Sequence, residues 1–97
     1  MARVSWHQGA LDDVEHLYNF LWEKSPKAAE RSAQTIFEGV KLLETSPRLG
    51  RPVQDETERR ELVLPFGASA YIVSYMLQDE ETVIILQVWH SRESRRK

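Results

Sequence analysis

The pattern of apolar positions changes within the first 24 residues. The segment "ARVSW" alternates β-branched or aromatic residues with polar ones, which is typical of a short half-buried strand. From Gln8 to Lys24, apolar residues recur at steps of three and four, which predicts an amphipathic helix. The stripe consists of Leu11, Val14, Leu17, Tyr18, Leu21 and Trp22.

A second helix is predicted from "SPKAAE" to about Thr45, with Ser25 as its N-cap and Pro26 in the first helical position. We expect Gly39, inside this helix, to permit close approach of a neighbouring element. The short connection between the helices favours an antiparallel hairpin. The predicted apolar face consists of Ala29, Ala33, Ile36, Phe37, Val40 and Leu43.

The rest of the chain reads as strands. "SPRLGRPV" ends the helical region because proline and glycine favour turns. Three strand-like segments follow, separated by turns short enough for hairpins: "RRELVLP" from Arg59, "SAYIVSYML" from Ser69 and "TVIILQVWH" from Thr82. The continuous apolar run "VIIL" favours a central strand covered on both faces. The predicted fold is α+β, in the order β-α-α-β-β-β, with an antiparallel sheet packed by an N-terminal helical hairpin.

Composition limits the class of protein. Ninety-seven residues with 41% hydrophobic content predict a single domain spanning residues 1–97. The chain has no cysteine, which excludes disulfides, thiolate metal sites and cysteine nucleophiles. No apolar run has the length of a membrane span or of a signal peptide, so we expect a cytoplasmic protein without membrane contact.

Charge is distributed unevenly. The formal net charge is −2, whereas proteins that neutralise many phosphates usually carry an excess of Lys and Arg. From His90 onward four cationic side chains stand against one carboxylate, a net +3, which leaves −5 for the rest. We expect the basic tail, residues 92–97, to contact an acidic surface, although a solvated terminus is an equal alternative.

Motifs for chemistry are few. The histidines lack a metal-binding spacing, and the serines and glycines lack nucleophile-elbow or phosphate-loop settings, so no metal or cofactor is predicted. One group remains, on or beside the last three strands: Arg59, Arg60, Tyr71, Tyr75, His90 and Arg92. Tyrosine, histidine and arginine on one sheet face can activate a 2′-OH and stabilise phosphorane charge. Equally, strand period puts Tyr71 and Tyr75 on one face, where both can simply pack against the helices.

The most specific segments, in chain order, are "SPRLGRP", "RELVLPFGASAYIVSY" and "VWHSRE". With "ALDDVEHLYNFLWEKSPKAAERSAQTIFEGVKLLE" before them, they make nearly the whole chain resemble the ParE branch of the RelE/ParE superfamily, the toxins of bacterial type II toxin–antitoxin pairs. The resemblance implies a cytoplasmic toxin that a cognate antitoxin neutralises. RelE-like members cut mRNA on the ribosome, whereas ParE-like members inhibit DNA gyrase.

Departures from the nuclease pattern decide between these branches. RelE-like nucleases resemble this chain at Tyr71 but place an arginine directly after it, where this chain has Ile72, and an aliphatic side chain cannot stabilise a phosphorane. Lysines on the preceding strand and a C-terminal tyrosine are missing too. We therefore expect a gyrase inhibitor without catalysis of its own. The alternatives are an mRNA endonuclease using Arg60, Tyr71, His90 and Arg92, or a non-toxic, antitoxin-binding operon regulator.

The predicted binding residues are those of the C-terminal end, since tryptophan and arginine are enriched at binding hot spots. They are Trp89, His90, Arg92, Arg95, Arg96 and Lys97. The expected partners are the antitoxin and gyrase, with DNA reached only indirectly through either of them. A free toxin would expose apolar surface, so a homodimer or a larger toxin–antitoxin assembly is also expected.

Overall fold

A computed structural model describes residues 1–93 of the chain. It contains two α-helices and five strands: β1 (Arg3–Trp6), α1 (Gln8–Trp22), α2 (Pro26–Lys41), β2 (Arg51–Pro52), β3 (Arg59–Phe66), β4 (Ser69–Asp79) and β5 (Thr82–His90). A single 3₁₀ turn, Leu42–Glu44, extends α2. No helix in the described part of the chain is both long and apolar enough to cross a bilayer.

The sheet has the order β1-β5-β4-β3-β2, and its pairing differs from the prediction in two respects. The three long strands form the expected antiparallel meander. The first strand, however, pairs parallel to β5, so the sheet is mixed rather than wholly antiparallel. A two-residue strand, β2, was not predicted, and it closes the far edge against β3 with a proline that cannot donate to another strand.

The prediction that "VIIL" forms a central strand covered on both faces was wrong. β4 is the middle strand of the five, and β5 lies between it and β1. Burial in β5 alternates: Val83 and Ile85 are fully buried, whereas Ile84 and Leu86 are only half-buried. The helices therefore cover one face of the sheet, and Ile84 lies in the same cross-strand row as half-buried Met76 on the opposite face.

Both helices begin where the sequence predicts. His7 caps α1, since its Nδ1 accepts a hydrogen bond of 3.0 Å from the Gly9 N–H. Ser25 caps α2 by accepting from the Ala28 N–H at 3.2 Å, and Pro26 occupies the first turn. The chain between α1 and α2 thus turns within three residues, as an antiparallel hairpin requires.

The core lies between the helical hairpin and the sheet. Ile36, Val40 and Leu43 of the predicted apolar face are buried, but Phe37 is 46% exposed and packs its ring 5.2 Å from that of Trp6. A Cβ on Gly39 would lie 2.4 Å from Leu64 Cδ2, so the expected close approach is confirmed. The buried apolar residues that connect in one cluster are Ala10, Val14, Leu17, Ile36, Val40, Leu43, Leu62, Leu64, Tyr71, Val73, Tyr75, Val83, Ile85 and Val88.

Candidate functional site

Strand register divides the predicted site residues between the two faces of the sheet. Leu64, Tyr71 and His90 form one cross-strand row, and the burial of the first two places it on the helix-covered face. The next row consists of Val63, Ile72 and Trp89, whose side chains point to the opposite, open face. Tyr71 and Ile72 are thus adjacent in sequence but on different surfaces.

Tyr71 is a core residue. It is 2% exposed, and its hydroxyl oxygen accepts a hydrogen bond of 2.8 Å from the Ser32 hydroxyl on α2. Its ring contacts Phe66 at 5.2 Å and, edge to face, His90 at 5.5 Å. The geometry agrees with packing against the helices, the second of the two interpretations of this residue.

Arg60 holds the loop at residues 48–50 through hydrogen bonds. Its Nη1 donates hydrogen bonds to the Gly50 carbonyl at 2.7 Å and the Arg48 carbonyl at 3.2 Å. Arg60 pairs with Tyr75 in register, four residues along β4 from Tyr71 and therefore about 13 Å away at roughly 3.3 Å per residue. The structure does not bring Arg60 together with Tyr71 and His90.

Tyr75 holds the same loop from the core side. Its hydroxyl accepts from the Gly50 N–H and donates to the Pro47 carbonyl, both at 2.8 Å. Burial raises the pKa of Tyr75 above its usual 10.0, against the opposing effects of the Gly50 hydrogen bond and nearby Arg60. The motif "SPRLGRP" is therefore a loop that leads into β2 and is held by hydrogen bonds to Tyr75 and Arg60, an arrangement that strand period alone did not reveal.

His90 uses both ring nitrogens in hydrogen bonds. Nδ1 accepts from the Arg92 N–H at 3.1 Å, so in the neutral ring Nε2 carries the proton and donates to Ser69 Oγ at 2.9 Å. Ser69 Oγ in turn donates to the Phe66 carbonyl at 3.3 Å. The imidazole therefore joins the end of β5 to the β3–β4 turn.

Residues 90–93 form a compact turn, which we call the exit turn. The Glu93 side chain accepts from the His90 N–H at 2.8 Å, and the Glu93 N–H donates to the His90 carbonyl at 2.9 Å. Ser91 exchanges hydrogen bonds with Ala70, at 2.8 Å through its N–H and 3.1 Å through its hydroxyl. The exit turn thus joins the end of β5 to the start of β4, and Arg92 is the first cationic residue after His90.

A groove of about 550 Å³ lies beside the exit turn. Its walls come from three segments far apart in sequence: the second half of α1, the β3–β4 turn and the end of β5. The side chains that line it include Leu17, Phe20, Leu21, Phe66, Tyr71 and Arg92. Phe20 is 59% exposed, and the sequence-based stripe omitted it. The structure therefore places Tyr71, His90 and Arg92 around one groove, with the Tyr71 hydroxyl directed to Ser32.

Within residues 1–93, no group of three or more His, Asp or Glu side chains is arranged to hold a metal ion. Of the predicted binding residues, Trp89 lies on the open sheet face, and His90 and Arg92 lie in the exit turn. Arg95, Arg96 and Lys97 lie outside the described residues.

The chain matches, over residues 4–95, the family described as "ParE toxin of type II toxin-antitoxin system, parDE". It belongs to the ParE toxin family. It is thus a type II toxin–antitoxin toxin of the ParE/RelE superfamily, as its sequence resemblance predicted.

Relatives of this ParE-family chain carry RelE names. It is 35% identical over 86 residues to Toxin RelE1 of Caulobacter vibrioides, with 89% of each chain covered. It is 31% identical over 95 residues to Toxin RelE3 of the same organism, covering 98% of this chain and all of the relative. A solved structure titled "Chromosomal ParDE TA system from P. aeruginosa" superposes with a TM-score of 0.78 at 22% identity, over 95% of this chain and 98% of that one. That likeness confirms the α+β fold.

Proposed function

We propose that this ParE-family toxin stops bacterial growth in the cytoplasm by binding DNA gyrase, without catalysis of its own. A cognate antitoxin protein holds it inactive, and DNA is reached only through one of these partners. The resemblance to the ParE branch supplies the identity of the target, and the geometry of Tyr71 and Ile72 favours binding over cutting.

The observation that carries the proposal is the environment of positions 71 and 72. Ile72 occupies the position at which the nucleases that this chain resembles have an arginine. It lies between Val63 and Trp89 in an apolar row on the open sheet face. A phosphorane needs positive charge or hydrogen-bond donors within contact distance, and this row offers neither from its aliphatic members. Tyr71, on the other face, directs its hydroxyl into the core.

The other residues of the nuclease alternative have partners of their own. Arg60 is hydrogen-bonded to two loop carbonyls, and both nitrogens of His90 are engaged. A general base must have a free lone pair toward the proton it abstracts. In His90 that lone pair, on Nδ1, accepts from the Arg92 backbone.

We assign target binding to the C-terminal end, through Trp89, His90, Arg92, Arg95, Arg96 and Lys97. Trp89 presents an aromatic surface on the open face, and the exit turn, which contains Arg92, directly precedes the rest of the basic tail in the sequence. An acidic region of gyrase is the complementary partner for a segment of net +3.

The test compares two reactions with the same purified toxin. We expect loss of gyrase supercoiling, or trapped cleaved DNA, at toxin concentrations that leave protein synthesis in a translation extract unaffected. The cognate antitoxin, added in slight excess, restores supercoiling. Cleavage of mRNA in the extract without any effect on gyrase contradicts the proposal.

A ribosome-dependent mRNA endonuclease is the second candidate, because two relatives at 35% and 31% identity are named RelE toxins. The placement of Tyr71, His90 and Arg92 around one groove is the feature that favours it. Under this alternative, Arg92→Ala abolishes mRNA cleavage in the translation extract.

A further inference from the structure

The first strand, β1, forms one edge of the sheet, and in the described part of the chain no strand lies on its outer side. On its inner side, the N–H groups of Arg3 and His7 donate to carbonyls of β5, at 2.7 Å and 2.9 Å. Because successive residues of a strand direct their backbone groups to opposite sides, those of Val4 and Trp6 point outward. Such a row of unpaired N–H and C=O groups is a template for pairing with another chain.

The two edges of the sheet differ in their protection against pairing. At the far edge, β2 contains Pro52, which cannot donate to an added strand. The open part of β1 is residues 4–6, "VSW", which include neither a proline nor a charged residue. It extends no further, because the Ala2 N–H donates to the Glu44 carbonyl at 2.8 Å on one side and α1 begins at Gln8 on the other.

The short length of this edge favours a second copy of the chain as its occupant. A longer extended segment would meet Glu44 at one end of residues 4–6 and the first turn of α1 at the other. A second copy presents an edge of the same length, bordered by the same two elements. Antiparallel pairing about a two-fold axis therefore matches the two edges to each other.

We propose that two copies of this chain pair antiparallel along β1, with Ser5 on the two-fold axis, to form a homodimer whose continuous sheet contains the five strands of each copy. Val4 of one copy then faces Trp6 of the other, and each such pair exchanges both of its N–H···O hydrogen bonds. The inference specifies an interface and its register, and it does not depend on the identity of the toxin's target.

Apolar side chains border this edge on the helix-covered face. Val4 and Trp6 are half-buried and pack against the core. Phe37 is 46% exposed, with its ring 5.2 Å from that of Trp6. In the dimer, Val4 of the second copy lies opposite Trp6, and a β-branched residue facing an aromatic one is a stabilising cross-strand pair. Phe37, beside this pair, loses exposed apolar surface when the two copies meet.

Charge complementarity supports the antiparallel direction. The first turn of α1 contains no acidic residue, so its partial positive charge has no carboxylate within that turn. Pairing about Ser5 sets Ala2 of one copy opposite Gln8 of the other. Glu44, whose carbonyl is hydrogen-bonded to Ala2, then lies beside the first turn of α1 in the second copy. A parallel pairing would instead bring the two Glu44 carboxylates together.

Cysteine cross-linking tests the register. The chain has no cysteine, so a single introduced thiol reports on the axis. Facing residues of a non-hydrogen-bonded antiparallel pair have Cα atoms about 4.5 Å apart, within the range that a disulfide spans. We expect Ser5→Cys to form a covalent dimer on mild oxidation of the purified full chain. Gln54→Cys is the matched control: it is also exposed but follows β2 at the opposite edge, and it should stay monomeric.

Sedimentation velocity tests the association itself. The toxin purified without its antitoxin should sediment as a dimer at micromolar concentration. Phe37→Ser should raise the dimer dissociation constant about tenfold, because an apolar contact at the interface is lost. Phe20→Ser removes an aromatic ring that is 59% exposed on α1, away from β1, and should change the constant less than about twofold. Circular dichroism verifies that both variants are folded.

Amide hydrogen exchange separates a second copy from other occupants of the edge. The Val4 and Trp6 amides should exchange slowly in the toxin alone and faster in Phe37→Ser. If they exchange slowly only after the antitoxin is added, or if the toxin alone is monomeric at micromolar concentration, the proposal is wrong. Covalent dimers that form as readily from Gln54→Cys as from Ser5→Cys also contradict it. None of these measurements involves gyrase, so their result is independent of the supercoiling assay.

Discussion

The hydroxyl groups of Ser32 and Tyr71 lie 2.8 Å apart in the core, joining α2 to the middle strand of the sheet across 39 positions of sequence. Ser32 is 1% exposed and Tyr71 2% exposed. Each hydroxyl would be costly to bury alone, and the hydrogen bond that Ser32 donates to the Tyr71 oxygen offsets part of that cost.

Tyr71→Phe tests whether this tyrosine is structural or catalytic. We expect the free energy of unfolding in urea to fall by about 1–2 kcal/mol, because the Ser32 hydroxyl is left buried without its partner. Growth inhibition at equal folded protein should be unchanged. Ser32→Ala is the control: the double variant should cost less than the two single effects added together. Loss of toxicity in Tyr71→Phe at full stability would instead indicate catalysis.

Local signals along the chain account for most of the fold. The alternating segments from Arg59 onward predicted β3, β4 and β5 with start residues that agree with the structure, because turn residues separate them and their apolar period is two. Ser25 and Pro26 specify the start of α2 by capping chemistry that needs no tertiary contact. Such features are decided within a few residues of sequence.

The features that the sequence did not predict depend on distant contacts. Four residues of β1 cannot specify whether they pair parallel or antiparallel, and its position beside β5 arises from the path of the helical hairpin. Phe37 has the helical period of a core residue, yet it packs against Trp6 on the edge strand β1 and remains 46% exposed. The groove escapes prediction because its walls come from separate elements, and periodicity along one element carries no information about the next.

Gly39→Ala should destabilise the protein, although alanine is the better helix former by about 1 kcal/mol. The added Cβ would lie 2.4 Å and 2.6 Å from the two methyl carbons of Leu64, so that buried side chain must shift. We expect a net loss of about 1–2 kcal/mol in the free energy of unfolding.

Gly9→Ala serves as the matched control, because its Cβ would approach only the His7 ring, at 3.3 Å from Nδ1 and 3.7 Å from Cε1. Combining Gly39→Ala with Leu64→Ala should cost less than the sum of the two single changes, since the smaller side chain makes room. A Gly39→Ala variant as stable as the unaltered protein would show that the Leu64 side chain can make room without cost.

The stability of the protein should fall at alkaline pH because of Tyr75. Its pKa is raised in the folded state above 10.0, mainly by burial, so folding favours the neutral phenol. The corresponding stabilisation is fully present below about pH 10 and is lost as the pH rises from there toward the folded pKa. Unfolding free energies measured at a series of alkaline pH values should show this decline.

Tyr75→Phe should flatten that decline and lower stability at neutral pH by about 1–3 kcal/mol, since the Gly50 N–H and the Pro47 carbonyl lose their partner. Tyr18→Phe, on α1, controls for removal of a phenol elsewhere in the chain. If the free energy of unfolding of Tyr75→Phe falls with rising pH as steeply as that of the unaltered protein, groups other than Tyr75 cause the pH dependence.

Truncation of the basic tail separates its role in binding from its role in folding. Residues 90–93 make hydrogen bonds with each other and with Ala70, so a deletion that starts at residue 92 removes part of the exit turn. Deletion of 94–97 spares that turn while removing three of the four cationic residues that follow His90.

We expect this shorter deletion to leave the free energy of unfolding within about 0.5 kcal/mol of the original and to abolish growth inhibition. Replacing Arg95, Arg96 and Lys97 by Gln, which keeps the length and removes the charge, should have the same effect if electrostatic attraction to the target is responsible. Full toxicity of both variants would assign target binding to Trp89 and the folded surface instead.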